Sequence, residues 1–107
     1  MGKLDKNGYA ESVMDTEPGT CYTCGAHGDT VRHEIYFGTK NRNMSKRKGA
    51  WVNICPRCHR TIHEKPDNGE LDSSLKRECQ KVIIYKLNKE GHDGREIFYA
   101  WFRRWYD

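Results

Sequence analysis

Two Cys-x-x-Cys units, Cys21-Tyr22-Thr23-Cys24 and Cys55-Pro56-Arg57-Cys58, are separated by 30 residues in a chain of 107. Two such pairs match the four-thiolate ligand set of a tetrahedral zinc site, each pair closing one tight turn around the metal. Gly25 follows the first pair and can supply the positive φ that such a turn needs. A redox role fits less well, because a redox-active pair normally occurs once, opening a helix after a strand in a larger α/β domain. Cys79 belongs to neither pair. It falls on an apolar helical face, where an unpaired cysteine acts as a small buried hydrophobe.

Three histidines form a second constellation. His59 and His63 lie four residues apart in a segment read as helical, so both imidazoles emerge on one face at a spacing that suits a single metal ion. His33, in a preceding segment read as a strand, would complete a three-nitrogen site; the alternative is a set of exposed imidazoles that hold nothing. Between them runs a segment, Ile35 to His63, with no acidic residue. It carries Lys40, Arg42, Lys46, Arg47, Lys48, Arg57 and Arg60, seven of the 19 Lys and Arg residues, so the rest of the chain is net acidic although the total charge is +4. Such a run is either a solvated loop or a surface that binds phosphates by counterion release.

The elements that must position these groups are legible from periodicity. Residues 1–20 are polar, with Gly8, Pro18 and Gly19 and no sustained period, and are expected to form a mobile or loosely packed arm without chemistry. Thr30 to Phe37 is β-branched and aromatic and predicts a strand; Gly38 to Gly49 predicts a polar, basic loop; Ala50 to Ile54 predicts a second short strand. The second cysteine pair then leads into a helix from about Cys58 to Lys65, ended by Pro66 and a turn at Asp67-Asn68-Gly69. Asp72 to Asn88 predicts another helix, with Leu75, Cys79, Val82, Ile83 and Leu87 near 3.6-residue spacing and Gly91 beyond its end. From Asp93 a third helix is expected, its face of Ile97, Phe98, Trp101, Phe102 and Trp105 serving the core rather than stacking on bases, with Arg103 and Arg104 opposite.

With 36% hydrophobic and 32% charged residues, the apolar content is thin for a domain of this size, which buries only about 60 to 65% of its unfolded surface and so calls for a staple. A structural metal answers that need. The N-terminus has no apolar signal-like region and no stretch approaches membrane-spanning length, so a cytosolic or nuclear location is expected, with no membrane partner. In a reducing compartment the paired cysteines read as metal ligands rather than disulfides.

Taken together, Arg32-His33-Glu34-Ile35, Gly38, Asn41-Arg42, Ser45, Gly49, Cys55-Pro56-Arg57-Cys58-His59 and Ile62-His63 resemble the HNH (His-Me finger, ββα-metal) endonucleases, most closely the small HNH proteins of phages and prophages. The likeness covers Cys21 to His63, extends more weakly over Leu75 to Gln80, and leaves out the tail and the N-terminal arm. It implies an α+β fold: a zinc-stabilised, treble-clef-like ββα-metal core over residues 21–65 and two further helices over residues 72–107, making a nuclease domain of residues 21–107 after an arm of residues 1–20. It also implies hydrolysis of DNA phosphodiester bonds by activated water, with structural Zn²⁺ on Cys21, Cys24, Cys55 and Cys58. A catalytic divalent ion (Mg²⁺, Mn²⁺ or similar) would be held by His33, His59 and His63. A phage-encoded chain would work in the cytoplasm of a bacterial host.

The strand motif departs from the family's usual Asp-His or His-His pair. In strict register His33 is a ligand and Glu34 the base; in the other reading His33 is the base, imidazole being the stronger one. Neighbouring strand residues point to opposite faces, so both reach one site only at a bulge or at the strand's end. The middle Asn is similarly open: the usual spacing falls on Ala50, Asn41 is the first choice, and Asn43 and Asn53 compete with it. Arg42 would grip a phosphate, and Lys40, Lys46, Arg47 and Lys48 the flanking backbone. A chain without a second DNA-reading unit would cut nonspecifically or be targeted by a phage or host protein. The rival readings are a zinc-finger-like nucleic-acid-binding protein with inert histidines, and an accessory module of a larger phage or host machine.

Overall fold

The computed structural model describes residues 3–65 and 69–107. In chain order the elements are β1 (Val31–Glu34), α1 (Arg42–Arg47), β2 (Trp51–Ile54), α2 (Pro56–Glu64), α3 (Glu70–Lys89) and α4 (Gly94–Phe102). This is an α+β arrangement, a two-stranded antiparallel sheet with α1 between its strands and three helices after them. The expected stop at Pro66 and most of the turn after it lie outside the described residues. Among the described residues no helix is long and apolar enough to cross a membrane.

Register follows burial. Arg32 pairs with Asn53, His33 with Val52 and Glu34 with Trp51. Paired residues share a face. The His33 and Val52 face turns to the helices, against Ile62 of α2 and Cys79 of α3 in one buried cluster. The N-terminal segment runs along the outer edge of β2 and onto the opposite face: Ser12 Oγ donates to the Trp51 carbonyl at 2.5 Å and the Asn53 amide to Thr16 Oγ1 at 2.9 Å along the edge, and the Trp51 side chain donates from Nε1 to the Ala10 carbonyl at 2.7 Å. Met14 is buried there as well. The arm expected to be loose is therefore packed on the hairpin from Tyr9 to Thr16, while residues 3–7 and 17–19 are exposed, because a two-stranded hairpin has a second face to cover and too few strands to cover it.

The expected loop of residues 38–49 contains α1. Its six residues are too short for a period to show in sequence, and it is held by tertiary bonds. Buried Ser45 donates its hydroxyl to the Ala50 carbonyl at 2.6 Å and accepts from the Tyr36 amide at 3.2 Å, so the turn back into β2 is bolted to the end of β1. Gly49 follows at φ 76°, where a Cβ would lie 2.3 Å from the Glu11 carbonyl oxygen, so the arm's close approach requires glycine.

The second cysteine pair starts α2. Cys55 is its N-cap, with extended backbone and a sulfur that accepts from the Cys58 amide at 3.5 Å, and Pro56 takes the first turn. Helix α3 closes on Gly91 at φ 90°, with Gly91 N–H on the Asn88 carbonyl and His92 N–H on the Leu87 carbonyl, a Schellman ending. Asp93 caps α4 by accepting from the Glu96 amide at 3.2 Å. Phe98 and Phe102 of α4 pack on Tyr36, whose hydroxyl donates to the Lys76 carbonyl of α3 at 2.6 Å. The aromatic face thus serves the core. Ile97, Trp101 and Trp105 are only half-buried, and Arg103 forms the left-handed C-cap instead of lying on the helix. Cys79 is buried in the core as expected, its thiol pushed up to about 12 by burial.

Candidate metal centres and the cavity beside them

The first knuckle closes through Gly25 N–H on the Cys21 carbonyl, and the second through the N-cap of α2. The hairpin brings them together because Tyr22 N–H bonds the Asn53 carbonyl at 2.8 Å, two residues before Cys55. The four sulfurs of Cys21, Cys24, Cys55 and Cys58 all lie within 4.8 Å of one another, with Cys24 and Cys55 at 3.9 Å. Tetrahedral zinc with bonds of about 2.3 Å places its sulfurs roughly 3.8 Å apart, so the cluster is suited to zinc. The electrostatics agree. Burial alone would raise the Cys21 thiol, but the Thr23 hydroxyl and backbone N–H groups of both knuckles outweigh it and bring it down to about 5. Cys58 is pushed up to about 12, by burial first and then by the other sulfurs. Cys55 is lowered too, first by the Cys58 amide, so the cluster favours thiolate at two sulfurs and leaves Cys58 to ionise only beside a cation.

The second centre lies where β1 meets α2. The His59 and His63 rings stand 4.5 Å apart between centroids, with their Nε2 atoms at 3.1 Å, and His33 faces them at 5.4 and 5.6 Å. One nitrogen from each lies within 4.8 Å of the others. His33 is 1% exposed and its Nε2 is buried without a hydrogen-bond partner. Burial, then His59, His63 and Lys76 of α3, bring His33 down to about 3, and burial followed by His63 lowers His59. His33 and His59 thereby favour the neutral form, the one that ligates metal. A buried imidazole with an orphaned nitrogen beside two further imidazoles fits a divalent ion.

Beside this centre opens a cavity of about 800 Å³, lined by His59 and His63, by Glu34 and by the cations Arg32, Arg42 and Lys46. Glu34 is the last residue of β1, and the strand's end is what lets its carboxylate reach the site although its side chain leaves the face opposite to His33. The carboxylate accepts from Arg42 Nε at 3.0 Å and from the hydroxyl of Tyr9. Burial and then the carboxylate push the Tyr9 phenol up to about 12, so it stays a donor.

The remaining expected residues are distributed differently. Asn43 lines the cavity, whereas Asn41 is the N-cap of α1 without a side-chain cap bond, and Asn53 is buried under the arm beside Thr16. Lys46 lines the cavity, but Lys48 points to α4, its Nζ 4.5 Å from the Trp101 ring, and Lys40 and Arg47 are exposed away from the lining. Sequence reasoning missed Tyr9 and Arg32. Arg32 stood in the motif next to His33, but nothing in the arm's composition marked Tyr9, which comes to the site only through tertiary packing. No protein-family model, curated protein or solved structure matches this chain.

Proposed function

We propose that this chain is a metal-dependent endonuclease of the HNH type, nicking or cleaving phosphodiester bonds in DNA. The observation that carries the reading is the convergence of three imidazoles on one point beside a cavity that also holds a carboxylate and three cationic side chains. His33, His59 and His63 would hold a divalent ion such as Mg²⁺ or Mn²⁺, which when bound supplies stabilisation for the negative charge that builds on the phosphate. Arg42, with its side chain 66% exposed, and Lys46 bind the phosphodiester anion across the cavity mouth. Of the two registers of the strand motif, burial favours His33 as ligand, since Glu34 lines the cavity and His33 does not. Glu34 then receives the proton of a water molecule as that water's oxygen bonds to phosphorus. The P–O ester bond breaks, and the leaving oxygen takes a proton from solvent.

Purified protein supplied in turn with Mg²⁺, Mn²⁺, Co²⁺, Ni²⁺ and Zn²⁺ is expected to nick or cut plasmid DNA, with one tightly held zinc and one exchangeable ion per chain. His33→Ala combined with His59→Ala should abolish cleavage and the exchangeable ion while zinc stays. No cleavage of plasmid or single-stranded DNA above that double variant with any ion would end the nuclease reading and leave a zinc-dependent binding module.

A further inference from the structure

We infer that Tyr9 is a positioning residue of this site: its hydroxyl holds the Glu34 carboxylate in place while Arg42 moves to the substrate phosphate, an inference that rests on the nuclease reading. The phenol is delivered by a built turn. Asp5 Oδ1 accepts from the amides of Asn7 and Tyr9 at 2.9 and 3.0 Å, the Asp5 amide returns a bond to the Tyr9 carbonyl at 2.8 Å, and Asp5 Oδ2 pairs with Arg32 Nη1 of β1 at 2.8 Å. The next residue, Ala10, is tied on both sides, its amide to the Lys46 carbonyl at 2.9 Å and its carbonyl to Trp51 Nε1. The Tyr9 ring itself meets Trp51 edge-on at 5.6 Å and lies under Arg32 and Lys46 at 4.5 and 4.8 Å. Strand, helix and arm therefore converge on one ring, and its hydroxyl ends on Glu34.

Each carboxylate oxygen has two acceptor directions. Arg42 occupies one on Oε1 and Tyr9 one on Oε2, which orients the group and leaves a lone pair on each oxygen for water. The two donors differ in what else attracts them. Arg42 is a largely exposed cation, and a phosphate competes with Glu34 for it; the phenol of Tyr9 is neutral, half-buried and without that second attraction. When DNA fills the cavity, the tyrosine is the contact that keeps the carboxylate aimed.

Tyr9→Phe tests this, because it keeps the ring with its aromatic and cation contacts and removes only the hydroxyl. The expected result is a kcat lower by on the order of 10- to 100-fold, with KM for DNA, zinc content and melting temperature close to wild type. A variant that cleaves at the wild-type kcat overturns the role of the tyrosine alone, provided the wild-type chain cuts. A rise in KM at unchanged kcat would make Tyr9 a DNA contact instead, and a kcat loss accompanied by lost zinc or a collapsed melt would make it a folding residue. Either outcome overturns the proposal. A wild-type chain that cuts nothing removes the nuclease reading and this inference with it.

Discussion

His33 and Glu34 are neighbours in the chain and occupy opposite sides of the hairpin, one sealed against α2 and the other open to the cavity. That division supports the proposed separation of roles, since a buried neutral imidazole is suited to a metal and a cavity-lining carboxylate to a proton. The same economy of space makes Gly49 critical. Its positive φ is costly for any other residue, and a methyl group there would collide with the Glu11 carbonyl 2.3 Å away. Gly49→Ala is expected to destabilise the fold by more than about 1 kcal/mol, measured by thermal or urea unfolding. It should also loosen the arm, increasing hydrogen exchange at the Val13 amide, which bonds the Gly49 carbonyl. Unchanged stability and protection would mean that the arm does not press on this turn in solution.

Helix α1 decides which cations of the basic segment face the cavity. Arg42 and Lys46 are four residues apart and share a face, so both line the cavity; Lys48 lies past the helix end, and its ammonium is turned to Trp101. Lys46→Ala is therefore expected to weaken DNA binding and to reduce the slope of log affinity against log salt by about 1, whereas Lys48→Ala should leave the slope unaltered. Equal effects of the two substitutions, measured by fluorescence titration over a salt series, would show that the segment acts as a diffuse positive field rather than through the helix face. At the other end of the fold, α4 contributes packing: Phe98 and Phe102 close over Tyr36, and that contact fixes the stretch of chain that follows β1.

The molecule exposes 6895 Å², against about 6,200 Å² expected for a compact chain of its size, so less of its surface is buried than a metal-independent core of this length would want. Zinc held by the four-cysteine cluster would make up that shortfall by tying the residues before β1 to the start of α2. Structural zinc sites contribute about 10 to 16 kcal/mol, comparable to or larger than the net stability of a small domain. Cys24→Ser or Cys58→Ser is accordingly expected to lose zinc and cooperative unfolding together, and a chelator to do the same to the wild-type chain. Cys79→Ser, outside the four-sulfur cluster, should retain zinc and melt cooperatively at a moderately lower temperature. Metal analysis with circular dichroism melts would decide it: a chain that keeps its melt after zinc is stripped does not depend on the four-thiolate site.

Both candidate ligand sets were readable in the residues alone, because short-range spacing is enforced by local geometry. A Cys-x-x-Cys turn can present two sulfurs to one point, and a helix puts His59 and His63 on one face wherever it is placed. The order of strands and helices was readable for the same reason, since apolar periodicity reports a face before it reports a neighbour. What lay beyond reach was everything set by contacts distant in sequence. Helix α1 is too short to carry a period and exists through Ser45; Lys48 is drawn off the basic surface by the Trp101 ring, at the far end of the chain. The arm looked inert because its polar residues bury little of themselves, yet the uncovered side of a two-stranded hairpin recruits it. Tyr9 reaches Glu34, 25 positions further on, only once that layer is in place.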